Sequence, residues 1–273
     1  FGIVEIADAL LSNKETINKR LFRAKQALRE ANVEMEIPEE SAIPERLNTV
    51  LKMIYLLFNE GYYSRSQNET LRKDLCLEAL RLGLQLLENP LTKKPQTYAL
   101  MALMCFHVSR FEARLQYGEA VVLYDEQDRS LWDKSLVLRG EQFLSLAAIG
   151  KYPSTYHLQA AIAYWHTQED DAIEKWEKIL SYYNLLLQIE YSPVAALNRT
   201  YALSRVRGKS VALIEAKKLN LDGNHLYHAL LAELNRGIDK AMVRKELELA
   251  ISYARTSSDK ELLKARLDAF NSR

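Results

Sequence analysis

Cysteine is scarce in this chain: two among 273 residues, Cys76 and Cys105, both inside apolar helical patterns. That excludes a disulfide scaffold and a cysteine-ligated metal cluster, and both read as reduced core thiols. Net charge is equally scarce. With 37 basic and 36 acidic side chains the balance is +1, so no global polyanion signal exists. No apolar run reaches membrane-spanning length and no signal peptide is visible, which points to a cytoplasmic protein without a membrane partner. The chain also lacks a G-x-G-x-x-G turn, a P-loop, a nucleophile elbow and an H-E-x-x-H pair, so no cofactor, metal or catalysis is expected. What remains is ample apolar content, 48%, for a sizeable core.

The basic character is local. Val4-Glu5-Ile6-Ala7-Asp8-Ala9-Leu10 is a short amphipathic helix, Leu11-Ser12-Asn13 a turn, and Lys14 to Arg29 a second helix with six basic residues and one acid, Glu15. Ser12 and Glu15 form an S-x-x-E capping box. Ile17, Leu21, Ala24 and Leu28 step at four, three and four, predicting one buried stripe. Lys19, Arg23 and Gln26 lie opposite it, with Phe22 beside them. A basic helix locked to a short first helix by its apolar side suits the major groove. The bland alternative is a solvated face on a packing helix, with Phe22 a core aromatic.

Val4-Glu5-Ile6-Ala7 followed by Thr16-Ile17-Asn18-Lys19-Arg20-Leu21-Phe22-Arg23-Ala24-Lys25 resembles region 4 of a sigma-70 family RNA polymerase sigma factor of the extracytoplasmic-function type. The resemblance implies that Asn18, Lys19, Phe22 and Arg23 face the bases and backbone of a promoter −35 element. Arg20 and Lys25 would approach phosphates and add salt-sensitive affinity. Arg23 could pair with a guanine edge and Phe22 could lie on a thymine methyl. Asn18 departs from the Lys or Arg usual there. A factor of this kind carries region 2 ahead of this segment. Because the chain starts with Phe1, it is expected to be a fragment that does not initiate transcription by itself.

Residues 1–31 thus read as an incomplete helix-turn-helix and 32–45 as a linker, with Glu34, Glu36, Glu39, Glu40, Glu45, Pro38 and Pro44. Its acids either stay solvated or fold back over Lys19 and Arg23. From Arg46 to the end an all-α domain is predicted. Its helices are Leu47 to Glu60, Leu71 to Glu88, Gln96 to Phe111, Leu131 to Ile149, Tyr156 to Thr167 and Ala172 to Ile189. Pro193 to Val206, Val211 to Leu219, Leu226 to Arg236, Lys240 to Thr256 and Lys260 to Phe270 follow. A small β-hairpin is predicted at 115–124. Short loops imply antiparallel neighbours and an α-solenoid. Tyr227, Leu230, Leu234, Val243, Leu247 and Ala250 take tetratricopeptide spacing around the turn Gly237-Ile238-Asp239, and Pro193 opens a helix one repeat earlier.

Ile54-Tyr55-Leu56-Leu57-Phe58-Asn59-Glu60-Gly61-Tyr62, then Asp125-Glu126-Gln127-Asp128-Arg129-Ser130-Leu131-Trp132, then Tyr156-His157-Leu158-Gln159-Ala160-Ala161-Ile162-Ala163 carry a further resemblance. They are similar to the C-terminal, tetratricopeptide-like extension of one group of these sigma factors. That implies promoter DNA and core RNA polymerase as partners, with a regulatory protein or small ligand on the helical domain as a further partner.

Asn59, Glu60, Tyr62, Asp128, Arg129 and Trp132 form candidate polar clusters for interaction or structure. As structure, Asp128 would cap the helix at Leu131 and Arg129 would bridge to an acid such as Glu60. As chemistry, Glu60 with Asp128 or Glu126 could be paired carboxylates, and His157, His166, His225 and His228 bases or ligands. Tyr152, Tyr156, Tyr164, Trp165, Trp176, Tyr182 and Tyr183 fit either an interface or a core. Two functions are therefore expected from sequence: part of an alternative sigma factor, or a helical scaffold or ligand-binding protein with no DNA role.

Overall fold

The computed structural model describes residues 3, 6–7, 12–32, 38–62, 72–114, 127–150, 153–254 and 256–272. Every regular element among them is helical. The hairpin predicted at 115–124 lies outside the described residues. The chain divides into two compact units, residues 1–97 and 98–273.

The first unit holds α1 (Lys14–Glu30), α2 (Ile43–Tyr62) and α3 (Lys73–Glu88). A 3-10 turn at Glu40–Ala42 leads into α2, so the helix starts inside the stretch read as linker. Pro44 falls in its first turn, where a missing N–H costs no helical bond. Leu47, Leu51, Ile54, Phe58 and Tyr62 form the buried face of α2, and Cys76, Ala79 and Gly83 that of α3. The two helices pack together. Gly61 permits the closest approach: a Cβ there would stand 2.6 Å from Cys76 Sγ and 2.8 Å from the Arg72 carbonyl oxygen.

In the second unit α4 (Pro95–Val108, whose first residues lie in the first unit) is apolar on all sides, and Ala99 to Phe106 are all buried. The single turn α5 (Phe111–Arg114) and a 3-10 turn (Arg129–Leu131) precede α6 (Lys134–Ala147). The Phe106 ring sits over Gly140 of α6, where a Cβ would meet it at 2.6 Å.

Then comes a regular series: α7 (Thr155–Thr167), α8 (Ile173–Ile189), α9 (Pro193–Arg207), α10 (Lys209–Lys217), α11 (His225–Asn235), α12 (Lys240–Tyr253) and α13 (Ser257–Asn271). Each packs on the next, and α9 also packs on α11, as first helices of successive pairs do in a solenoid. The core follows in series. Leu158, Trp176, Ile179 and Ala202 join α7, α8 and α9. Leu197, Ala212, Tyr227 and Leu234 join α9, α10 and α11. Ala232, Val243, Leu247 and Leu263 join α11, α12 and α13. Local signals start four of these helices: Ser192 ahead of Pro193 on α9, Asn224 on α11, Asp239 on α12 and Thr256 on α13. Gly208 (φ +86°) and Gly237 (φ +84°) turn the chain inside the second and third pairs.

Candidate nucleic-acid interface

The predicted cap of the basic helix is corrected by the structure. Asn13, not Ser12, caps α1: its Oδ1 accepts from the Thr16 N–H at 2.7 Å. The helix begins at Lys14, which places Glu15 in its first turn, too early to reach back as a capping box requires. The Glu15 carboxylate instead accepts from Lys19 Nζ at 2.7 Å, and Ser12 N–H donates to the Ala7 carbonyl, also at 2.7 Å.

The predicted stripe holds only at its start. Ile17 is buried at 2% exposure and Leu21 is half-buried, but Ala24 is exposed and Leu28 is 60% exposed. Helical spacing marks an apolar face; whether another element lies on that face is a tertiary matter.

Asn18, Lys19, Arg20, Phe22, Arg23 and Lys25 are all exposed. Phe22, at 69%, is not a core aromatic. Lys19 is occupied by Glu15, and Gln26 Nε2 donates to Glu30 Oε1 at 2.7 Å. Arg20, Arg23 and Lys25 form no ion pair among the described residues. Their donors, with Phe22 among them, are presented to solvent from one rigid helix. That arrangement can take phosphate oxygens and guanine edges together.

The other predicted clusters fall in both units. Tyr62 is fully buried and stacked on Phe58 at 5.7 Å between centroids, while Asn59 and Glu60 are half-buried. Asp128 accepts from the Ser130 N–H at 2.9 Å, which caps the 3-10 turn rather than the following helix, and hydrogen bonding from the Ser130 side chain, with this backbone bond, holds its carboxyl below the usual range. Asp133 caps α6 through Ser135 and Leu136. The acid expected to cap is thus one turn early, because Arg129–Leu131 forms a separate turn. Arg129 donates to the Glu169 carbonyl at 2.6 Å, and its guanidinium and that of Arg110 lie 5.7 and 5.8 Å from the Trp132 ring. Trp132 is buried.

The four candidate histidines fall in different surroundings. His157 Nε2–H donates to the Ala147 carbonyl at 3.1 Å, which leaves Nδ1 to accept from the N–H of the N-cap Ser154 at 3.0 Å, the return half of a capping box. Burial lowers its pKa and pushes that of His166 down to about 3, so both rings are neutral. His225 and His228 do not act as a pair. His225 faces Asp259 at 3.7 Å, whereas His228 Nδ1 faces Glu246 at 2.7 Å and its Nε2 the Asp222 carbonyl at 2.6 Å. No group of three or more His, Cys, Asp or Glu side chains suited to a metal occurs among the described residues. Both cysteines are buried and outside any disulfide; the Cys76 thiol donates to the Phe58 carbonyl at 3.5 Å, and burial pushes the Cys105 thiol up to about 12. Of the aromatics, Trp176 is core: its Nε1–H donates to Asp171 at 2.8 Å, under Arg205, which also pairs with Asp171. That three-residue tie was invisible in sequence because Arg205 lies 34 residues from Asp171. No described helix is long and apolar enough to cross a membrane.

Residues 46–148, from α2 through α6, match the profile of a family of unknown function, DUF6596. An uncharacterized protein of Rhizobium meliloti (strain 1021) is 34% identical over 271 residues, 98% of this chain. The chain spans 64% of that relative's length. No solved structure matches.

Proposed function

We propose that this chain is the C-terminal part of an alternative RNA polymerase sigma factor and not an enzyme. On this reading α1 recognises the −35 element of promoter DNA, and the helical units regulate or support initiation through contacts with polymerase or a regulatory partner. The observation that carries the reading is the exposure of Asn18, Lys19, Arg20, Phe22, Arg23 and Lys25 on a helix anchored by Ile17. These are the positions that the sigma-factor resemblance assigns to DNA. The cations supply sequence-independent affinity; Arg23 and Phe22 supply base discrimination.

Run-off transcription with core polymerase on the promoter of its own operon tests the proposal. Protein carrying its authentic upstream sequence is compared with a version stopped after Glu30. Initiation by the longer protein alone makes the helical units an obligatory activating part. Equal activity makes them a docking or sensing scaffold. Silence from both overturns the sigma reading in favour of a helical scaffold.

A further inference from the structure

We propose that a cationic groove between α12 and α13 binds the phosphodiester backbone of DNA, in addition to the contact proposed for α1. The groove is an open recess of about 380 Å³, lined by Lys240, Arg244, Lys245 and Glu248 of α12 and by Phe270 and Asn271 of α13. Lys240 and Arg244, four residues apart, are neighbours on α12, and Lys245 borders the same recess. None of the three cations forms an ion pair among the described residues. Three other cations of the same unit are taken up: Lys209 on Glu233, Lys218 on Glu215, Arg205 on Asp171.

Arg244 is also positioned. Its Nη2 donates to Asn271 Oδ1 at 2.9 Å, which fixes the guanidinium at the groove and leaves further N–H donors for an oxyanion. Glu248 confines the cationic stretch to the start of the helix, and Phe270 forms an apolar wall. Lys240 and Arg244 stand about 6 Å apart along the axis. Phosphates two nucleotides apart on one strand differ by about 6.8 Å in rise, so alternate phosphates can meet both cations.

This inference rests on the DNA-binding reading, and the test separates the two. Duplex binding is measured from about 50 to 200 mM salt for the full chain, for K240Q/R244Q/K245Q and for R20Q/R23Q, after circular dichroism confirms folding. The groove variant is expected to weaken binding to every duplex alike and to reduce the log–log salt slope by about 2.7, or 0.9 per phosphate contact. An unchanged slope with loss only in R20Q/R23Q overturns the groove and keeps the DNA reading. Loss only in the groove variant keeps the groove and overturns α1 as the reader. Absence of duplex binding at the lowest salt overturns both. Displacement of DNA by a polyglutamate peptide at equal charge assigns the groove to an acidic protein and overturns the phosphodiester assignment.

Discussion

Gly61 sits where the start of α3 meets the end of α2, with the Arg72 carbonyl and Cys76 N–H within 2.9 Å of any added Cβ. Both obstacles are backbone, so Gly61→Ala should cost about 1–3 kcal/mol by overpacking, read as a lower urea midpoint. An unchanged midpoint would mean the helices part freely. Phe22 is the opposite case. At 69% exposure, Phe22→Ala should leave stability within about 0.5 kcal/mol. On the proposed reading it should weaken promoter binding by about 1–3 kcal/mol; parallel loss of stability would make Phe22 a packing residue. Burial beside the charges of Arg110 and Lys175 holds His166 down at about 3, well below its ordinary 6.5. The folded state therefore binds fewer protons than the unfolded state between those values. Stability from this group is complete above pH 6.5 and is lost as pH falls toward 3. Urea midpoints between about pH 7 and 5 should decline, and H166F should flatten that decline if His166 contributes as described. Such a group is unreadable in sequence, since His157, His166 and His228 look alike until burial and partners are known.

At the scale of the element, sequence carried most of the information. The prediction Ala172 to Ile189 meets α8 at Ile173–Ile189, and Pro193 to Val206 meets α9 at Pro193–Arg207. Helical periodicity, prolines and caps are local, so they can be read locally. The turn at Gly208 is local too. Its φ of 86° and ψ of 159° suit glycine almost alone, and nothing lies within 4 Å of a Cβ there. Gly208→Ala should thus cost about 1–3 kcal/mol through backbone strain alone, with no repacking in methyl-region NMR. Shifts spread through α9 and α10 would show a steric cause instead. Local reading failed where two local signals competed: Asn13 outbid Ser12 as a cap, and Asp133 took the role expected of Asp128.

At the scale of the molecule, three core clusters among the described residues of the second unit lie in series from α7 to α13, each sharing a helix with the next. Disturbance at one end should therefore stay near that end. Leu247→Ala empties a position at 2% exposure in the last cluster and should cost about 2–5 kcal/mol there. Native-state hydrogen exchange should then quicken in α11, α12 and α13 while α7 and α8 keep their protection. Uniform acceleration would show one cooperative core instead.

The sequence by itself determined the all-helical class, the run of helix pairs and the basic composition of α1, because period, capping residues and charge are properties of neighbours along the chain. It also marked every predicted DNA-facing residue as polar or aromatic and off the Ile17 line. Only the tertiary structure decided which of those faces stay open: Leu28 exposed and Tyr62 buried, Trp176 clasped by Asp171 and Arg205, Lys240, Arg244 and Lys245 gathered beside Phe270. Burial and the meeting of distant side chains depend on how helices pack, and packing joins residues that chain order keeps apart.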